Sequence, residues 1–371
     1  MKIGCVKEVK NNEYRVGLVP ATVDAYISAG HEVYIEKGAG LGSSIRDEDY
    51  LASGAKILES AEDVWDKAEM IVKVKEPLSS EYKFMKEGQI IYTYFHFAAS
   101  EELTRNCIER KIIAVAYETV EDEQGGLPLL KPMSEVAGSM APLMGAYFLM
   151  KPHGGIGVLP TGVPGVLPAN VVVIGGGSVG QCAAKVAAGM GSKVIIFDNN
   201  LNVLTKLRYI MPENVFTHFS SEYTILEALH DADIVIGAVL IPGAKTPKLI
   251  NRDALTTMKK GAVIVDVAID QSGCAETSKP TTHDEPIYEV DNVVHYCVAN
   301  MPGAYSRTST FALNYATIQH GINLANRGVE ACRDDLGLRT GLNLYKGKIT
   351  YKEVATAFGM EHLYEDPQQL I

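Results

Sequence analysis

Apolar and polar positions alternate between two periods along the first 130 residues. Strand-length apolar runs at 2–6, 32–36, 70–74, 89–95 and 112–117 are separated by stretches of helical spacing at 21–29, 47–53, 61–67, 80–86 and 100–110. Strands alternating with helices predict a mostly parallel sheet covered on both faces. The rhythm changes at PMSEVAGSMAPLMGAYFLM, which predicts a helix with Ser134 as N-cap and a kink or interruption at Pro142. Residues 151–168 are dense in Gly and Pro and predict a turn or hairpin. The valines and leucines of that stretch suit either a subunit contact or a self-packed surface loop. Six further strand runs follow at 171–174, 194–197, 215–218, 234–239, 262–267 and 293–297, then a helical stretch over 308–326. That helix is long enough to return to the first domain, and the tail, 328–371, with its helix-like VATAFG, is expected to cover it. The predicted fold class is α/β: two doubly wound, mostly parallel sheet domains, the second, by the G-x-G-x-x-G spacing of Gly175, Gly177 and Gly180 after its first strand, a Rossmann dinucleotide-binding domain. The expected bounds are 1–133 with 304–371, and 134–303.

Residues 169–199 organise the second domain. An apolar strand is followed by Gly175, Gly177 and Gly180 in G-x-G-x-x-G spacing, a small-residue helix pattern, a second apolar strand and Asp198. Gly175 permits the sharp turn, Gly177 lets a pyrophosphate approach the backbone, and Gly180 lets the helix pack against the strand. The helix N-terminus offers N–H groups and partial positive charge to phosphates. Asp198 can accept from ribose hydroxyls and repels a 2′-phosphate, which predicts NAD rather than NADP.

Composition narrows the function classes. A chain of 371 residues is long for one core, and 47% hydrophobic with 21% charged residues is that of a soluble globular protein. The net charge of −11 argues against nucleic acid and gives no pull toward anionic membranes. Any anionic substrate must be held by local positive charge. The six cysteines are scattered without a C-x-x-C pair, so buried reduced thiols are expected and no metal ligand set is assigned. The opening MKIGCVKEVK has no apolar signal region, and the apolar run at 138–150 is short for a bilayer, so the expected location is cytoplasmic.

Polar residues gather just past the strands of the first domain. Arg15 follows the first, Lys75 ends MIVKVKEP and His96 ends QIIYTYFHFA. Ligands of open parallel sheets bind beyond the carboxyl ends of the strands, so these three form a candidate site for an anionic substrate. Taken singly, each has a structural alternative: a surface loop charge, a solvated strand end, a hydrogen-bonded histidine. In the second domain Asp270 lies just past the fifth strand, where it serves either the site or the turn as a capping Asp. VANMP ends the sixth strand, where it can line a nicotinamide pocket.

In order along nearly the whole chain, KEVKNNEYRVGLVP, VKVKEP, YFHFA, MSEVAG, GVPGV, VVVIGGGSVG, GAVLIPGAKTPKLI, VDVAIDQSGC and CVANMPGA resemble the bacterial-type L-alanine dehydrogenases. That superfamily also holds the NAD(H)-binding subunit of proton-pumping transhydrogenase. The resemblance implies reversible conversion of L-alanine, NAD⁺ and water to pyruvate, ammonium and NADH in an interdomain cleft. It implies that Arg15 and Lys75 hold the substrate and that His96 is the general acid/base. Asp270 would orient water or ammonia, or stabilise the iminium. It further implies cofactor contacts at Ser134, Ser178, Val179, Ser220, Val239, Leu240, Val267, Ala268, Ile269, Asp270, Val298, Ala299, Asn300 and Met301, beside the glycines and Asp198, and a homohexamer. Lys279 supplies a basic group toward the adenosine half, whereas Val203, one turn after Asp198, cannot.

Three alternatives stand beside this reading. A transhydrogenase-like NAD(H) subunit would bind NADH but turn over no amino acid, and His96 in YFHFA favours the dehydrogenase over it. A saccharopine-forming lysine dehydrogenase would need a larger pocket. A silent NAD-binding protein would have no chemical need for Lys75, His96 and Asp270 together.

Overall fold

The computed structural model describes residues 1–239 and 246–371; the expected cofactor contact Leu240 lies outside the described residues. These residues form two compact units, Met1–Met133 with Gly303–Ile371, and Ser134–Pro302.

In the first unit, β1 (Lys2–Cys5), β2 (Glu32–Glu36), β3 (Lys56–Leu58), β4 (Met70–Val72), β5 (Ile90–Thr93) and β6 (Ile113–Ala116) are parallel, in the order β3-β2-β1-β4-β5-β6. The chain winds one way from β1 to β3 and the other way from β4 to β6. The β1/β4 junction is therefore a topological switch point. Helices α1 (Pro20–Ser28), α2 (Asp47–Ala52), α3 (Ala61–Lys67) and α4 (Glu101–Glu109) make the crossovers, α3 and α4 with serine N-caps at Ser60 and Ser100.

Three expectations are corrected here. The helix expected over 80–86 is a single 3₁₀ turn, Tyr82–Phe84, because Glu81 turns inward to the buried Lys73 instead of starting a helix. Helix α5 (Lys131–Phe148) starts before Ser134, so Ser134 is not its cap. Winding begins in the turn at Leu127, whose carbonyl accepts from Leu130 and Lys131, and Pro132 sits early enough in the helix to be tolerated. Nor does Pro142 interrupt α5. Close packing sustains it: a Cβ on Gly138 would lie 2.3 Å from the Val179 carbonyl, and one on Gly145 2.7 Å from Ile234.

The second unit holds β7 (Asn170–Ile174), β8 (Lys193–Asp198), β9 (Val215–Phe219), β10 (Ile234–Gly237), β11 (Val263–Asp266), β12 (Ile287–Val290) and β13 (Val293–Tyr296). The parallel strands run β9-β8-β7-β10-β11-β13, again doubly wound, and β12 adds an antiparallel edge. β7 reads as unbroken valine and isoleucine because both faces are covered. Val171 and Val173 pack with Ala183 and Ala187 of α6 (Ser178–Gly189), while Val172 and Ile174 pack with Ile225 and Leu229 on the other side. Each such buried side chain contributes about 1.5–3 kcal/mol.

The chain then re-enters the first unit. The helix Ser306–Arg327 packs on α1, and its buried Asn314 accepts the Val19 amide at 2.9 Å. The tail was expected to cover this unit; it also extends the sheet. β14 (Leu342–Tyr345) pairs antiparallel with β6, and β15 (Lys348–Ile349) follows.

Candidate functional site

In the first unit the three singled-out residues follow β1, β4 and β5. Arg15 is not a surface charge: it is 3% exposed. Its Nε and Nη2 donate to the two oxygens of Glu13 at 2.7 and 2.6 Å, and Nη1 points to the Met133 sulfur at 3.0 Å. Burial alone would raise Glu13. Arg15, with help from Lys75, outweighs it and brings the carboxyl to about 2. Arg15 and Lys75 thus act on one carboxylate.

Lys75 is half-buried. Its amide and that of Val74 are held by Glu8 Oε1 at 3.4 and 2.7 Å, and its carbonyl accepts from Thr93 Oγ1 at 2.9 Å. Two residues earlier Lys73 is fully buried between Glu81, at 2.8 Å, and Glu8, at 3.4 Å. Burial works to lower Lys73, but the two carboxylates hold it above the ordinary lysine value. Lys73 is structural, and the Lys73–Glu8–Glu81 group fixes the strand end from which Lys75 projects.

His96 is exposed, in a left-handed backbone conformation (φ 51°, ψ 40°). Its ring stacks on Tyr94, centroids 5.9 Å apart and 9° from parallel. Tyr94 is fixed by its hydroxyl, which donates to the Leu129 carbonyl at 2.6 Å. Glu13, Tyr94 and the Lys73 group were not picked out from the sequence. The one available signal is Lys73 itself, a charge directly after the apolar run of β4 and two residues before Lys75.

In the second unit the glycine turn joins β7 to α6. Gly175 has φ +110°, and a Cβ there would lie 2.7 Å from the Ala238 carbonyl. A Cβ on Gly180 would lie 1.8 Å from the Gly175 carbonyl. Gly177, the N-cap of α6, has no side-chain cap and open space where a Cβ would stand. Ser178 is exposed beside it, and Val179 is buried against α5. Val203 has a packing role: it closes on Gly176, whose Cβ would meet it at 2.9 Å. Ser220 follows β9 and donates its amide to the Asp198 carbonyl at 2.9 Å; Val239 follows β10.

Val267, Ala268, Ile269 and Asp270 lie in a 3₁₀ segment after β11, with Ala268 and Ile269 buried and Asp270 exposed. The capping carboxylate of this loop is Asp266, not Asp270. Fully buried, Asp266 accepts from the amides of Ala268 and Cys274 at 3.2 and 2.8 Å and from Ser278 Oγ at 2.5 Å. Val298 and Met301 are buried, Ala299 and Asn300 half-buried, and Asn300 has φ +66°. The Lys279 ammonium sits over the Tyr288 ring, 4.4 Å from its centroid. Ser134 is half-buried within α5.

A doubly wound domain with an uncapped helix N-terminus behind a glycine turn, and an acid at the end of the next strand, defines a dinucleotide-binding α/β protein. Residues 4–137 match the family model for the alanine dehydrogenase/PNT N-terminal domain, and 141–352 that for the C-terminal domain. The chain belongs to the alanine dehydrogenase/PNT family. It is 52% identical to an alanine dehydrogenase of Methanococcus maripaludis over 98% of both chains. It is 51% identical to an alanine dehydrogenase of Mycolicibacterium smegmatis over 96% of both. A solved L-alanine dehydrogenase superposes with a TM-score of 0.94 at 47% identity, covering 97% of this chain and 99% of the other. A Sinorhizobium meliloti transhydrogenase shares the fold at a TM-score of 0.81 and 24% identity, over 95% and 99%.

Proposed function

We propose that this chain is an NAD-dependent alanine dehydrogenase that interconverts L-alanine and water with pyruvate and ammonium. The observation that carries the reading is identity of about half to alanine dehydrogenases over nearly the full length. The residues present suit NAD. Gly177 leaves the approach to the α6 N-terminus open, and Asp198 offers a carboxylate at the end of β8. When bound, the nicotinamide accepts hydride from the alanine Cα or returns it.

The remaining assignments are our reading of the chain's own residues. Glu13 holds the Nε–Nη2 edge of Arg15, and the guanidinium so oriented would receive the substrate carboxylate. The Lys75 ammonium would steady the substrate oxygen as charge develops on it. The His96 imidazole would take a proton from the attacking water and return it to the departing amine. Asp270, exposed after β11, would orient that water or offset positive charge on the substrate. Contacts to the cofactor would come from Ser134, the glycine turn, Asp198, Ser220, Val239, Leu240, residues 267–270, Lys279 and residues 298–301.

We also infer a homo-oligomer, a hexamer by the family resemblance. The hairpin closed by Val163 and Val166 exposes both valines and Leu167, which suits a contact between copies. Six unbridged thiols fit a reducing compartment, which supports a cytoplasmic location. Among the described residues no helix is long and apolar enough to cross a membrane.

The test is loss of NADH absorbance with purified protein, pyruvate and ammonium, beside reactions lacking ammonium or containing 2-oxoglutarate and lysine. Rapid loss that requires both pyruvate and ammonium is expected. NADH binding without turnover in any mixture would overturn the reading.

A further inference from the structure

Strands β5 and β6 run parallel with Thr93 opposite Ala116. The residues just past their ends therefore lie side by side, and Glu118 meets Phe95 and His96. His96 donates its backbone N–H to Glu118 Oε1 at 2.6 Å, and Phe95 donates to Oε1 and Oε2 at 3.1 and 3.3 Å. One half-buried carboxylate thus receives two successive amides at a turn where His96 adopts a left-handed conformation rare for a non-glycine residue.

We propose that Glu118 is a positioning residue for His96: its carboxylate fixes the left-handed turn and so aims the imidazole. Both oxygens are acceptors in this arrangement. A glutamine would keep one acceptor, lose the negative charge and turn an N–H₂ group toward the Phe95 amide. The ring has a separate restraint. Tyr94, on which it stacks, is held by Leu129 and lies edge-on to Tyr117 at 5.0 Å and 86°. Loss of Glu118 therefore shifts the point from which the imidazole projects without releasing the platform beneath it. Misplacement on the scale of one ångström is enough to cost two orders of magnitude in a proton-transfer step.

The inference rests on His96 being the acid/base, so the experiment tests both. The variants Glu118→Gln, Glu118→Asp, His96→Ala and the double variant Glu118→Gln/His96→Ala are assayed for reductive amination of pyruvate, with NADH affinity followed by fluorescence. Glu118→Gln is expected to lower kcat roughly 30-fold while the KM for pyruvate and the NADH Kd stay within about threefold. Glu118→Asp, which keeps an anionic acceptor at shorter reach, recovers part of the loss. In the His96→Ala background the glutamine change has almost no further effect, because the group it positions is gone. A kcat for Glu118→Gln within threefold of the parent overturns the proposal, as does an equal loss in both backgrounds. If Glu118→Gln does not fold, Glu118→Asp carries the same comparison. Parent-like activity of His96→Ala removes the role of His96, and the positioning role with it.

Discussion

The carboxylate of Asp198 reaches back to the glycine turn: its Oδ2 accepts the Gly176 amide at 2.9 Å, while Oδ1 accepts the Asn200 amide at 2.8 Å. The acid that would read the ribose therefore also ties β8 to the loop that would hold the pyrophosphate.

Two consequences of Asp198→Ala follow. Without the carboxylate the site no longer repels a 2′-phosphate, and the ratio of kcat/KM for NAD over NADP should fall by about tenfold or more. A hydrogen bond to a charged group is also lost, so the thermal midpoint should drop by a few degrees. Steady-state kinetics with both cofactors and a melting curve check the pair. An unchanged cofactor ratio would mean that specificity is set elsewhere.

Glu13 and Arg15 make a pH-dependent contribution to stability. The folded-state carboxyl of Glu13 lies at about 2, against an ordinary value of 4.5. A depressed value stabilises the folded form above 4.5, and that contribution disappears as pH falls from 4.5 toward 2. The shift corresponds to roughly 3 kcal/mol for a pair this deeply buried. Glu13→Gln should accordingly unfold at lower urea than the parent at pH 6, and the gap between the two should narrow by pH 3. The variant should also raise the KM for alanine, because Arg15 loses the partner that orients its fork.

Much of the fold was legible because β7 and its neighbours are apolar on both faces, a pattern few elements other than buried parallel strands produce at that length. The strands β3, β12, β14 and β15 are not legible in the sequence. Each has two to four residues; β3, β12 and β15 are only partly buried, and β14, though buried, takes its place by pairing with residues distant in sequence, as Leu342 pairs with Val115. The positions of Arg15, Lys75 and His96 beyond strands are legible because the strand ends are. Glu13, Glu118 and Asp266 are not, since nothing local distinguishes a carboxylate that receives backbone amides from one facing solvent. The helix expected at 80–86 failed for the same reason: Glu81 answers to Lys73, eight residues away.

Lys73 gives a prediction about stability rather than catalysis. Lys73→Met would leave Glu8 and Glu81 buried without their cation, and should cost about 3–5 kcal/mol. Replacing all three, as Lys73→Met with Glu8→Gln and Glu81→Gln, should recover a large part of that loss, because the desolvated charges go together. Urea unfolding of the two variants decides it. Equal destabilisation of both would show that packing volume, not charge balance, sets the cost.

The glycine turn allows cofactor approach and helix packing to be separated at neighbouring positions. Gly177 faces open space, so Gly177→Ala should fold with a midpoint within a few degrees of the parent. Its new methyl group would stand where a pyrophosphate approaches, and NADH affinity should fall by about tenfold or more. Gly180 is the reverse case. A Cβ there would lie 1.8 Å from the Gly175 carbonyl, so Gly180→Ala must push α6 away from β7 and disturb the contacts of Ala183 and Ala187. That variant should lose stability by about 1–3 kcal/mol, as overpacking does. Its loss of NADH affinity should accompany the fall in thermal midpoint rather than occur without it. Fluorescence titration beside thermal melting distinguishes the two. If Gly177→Ala bound NADH like the parent, the open approach to the α6 N-terminus would not be the path of the phosphates.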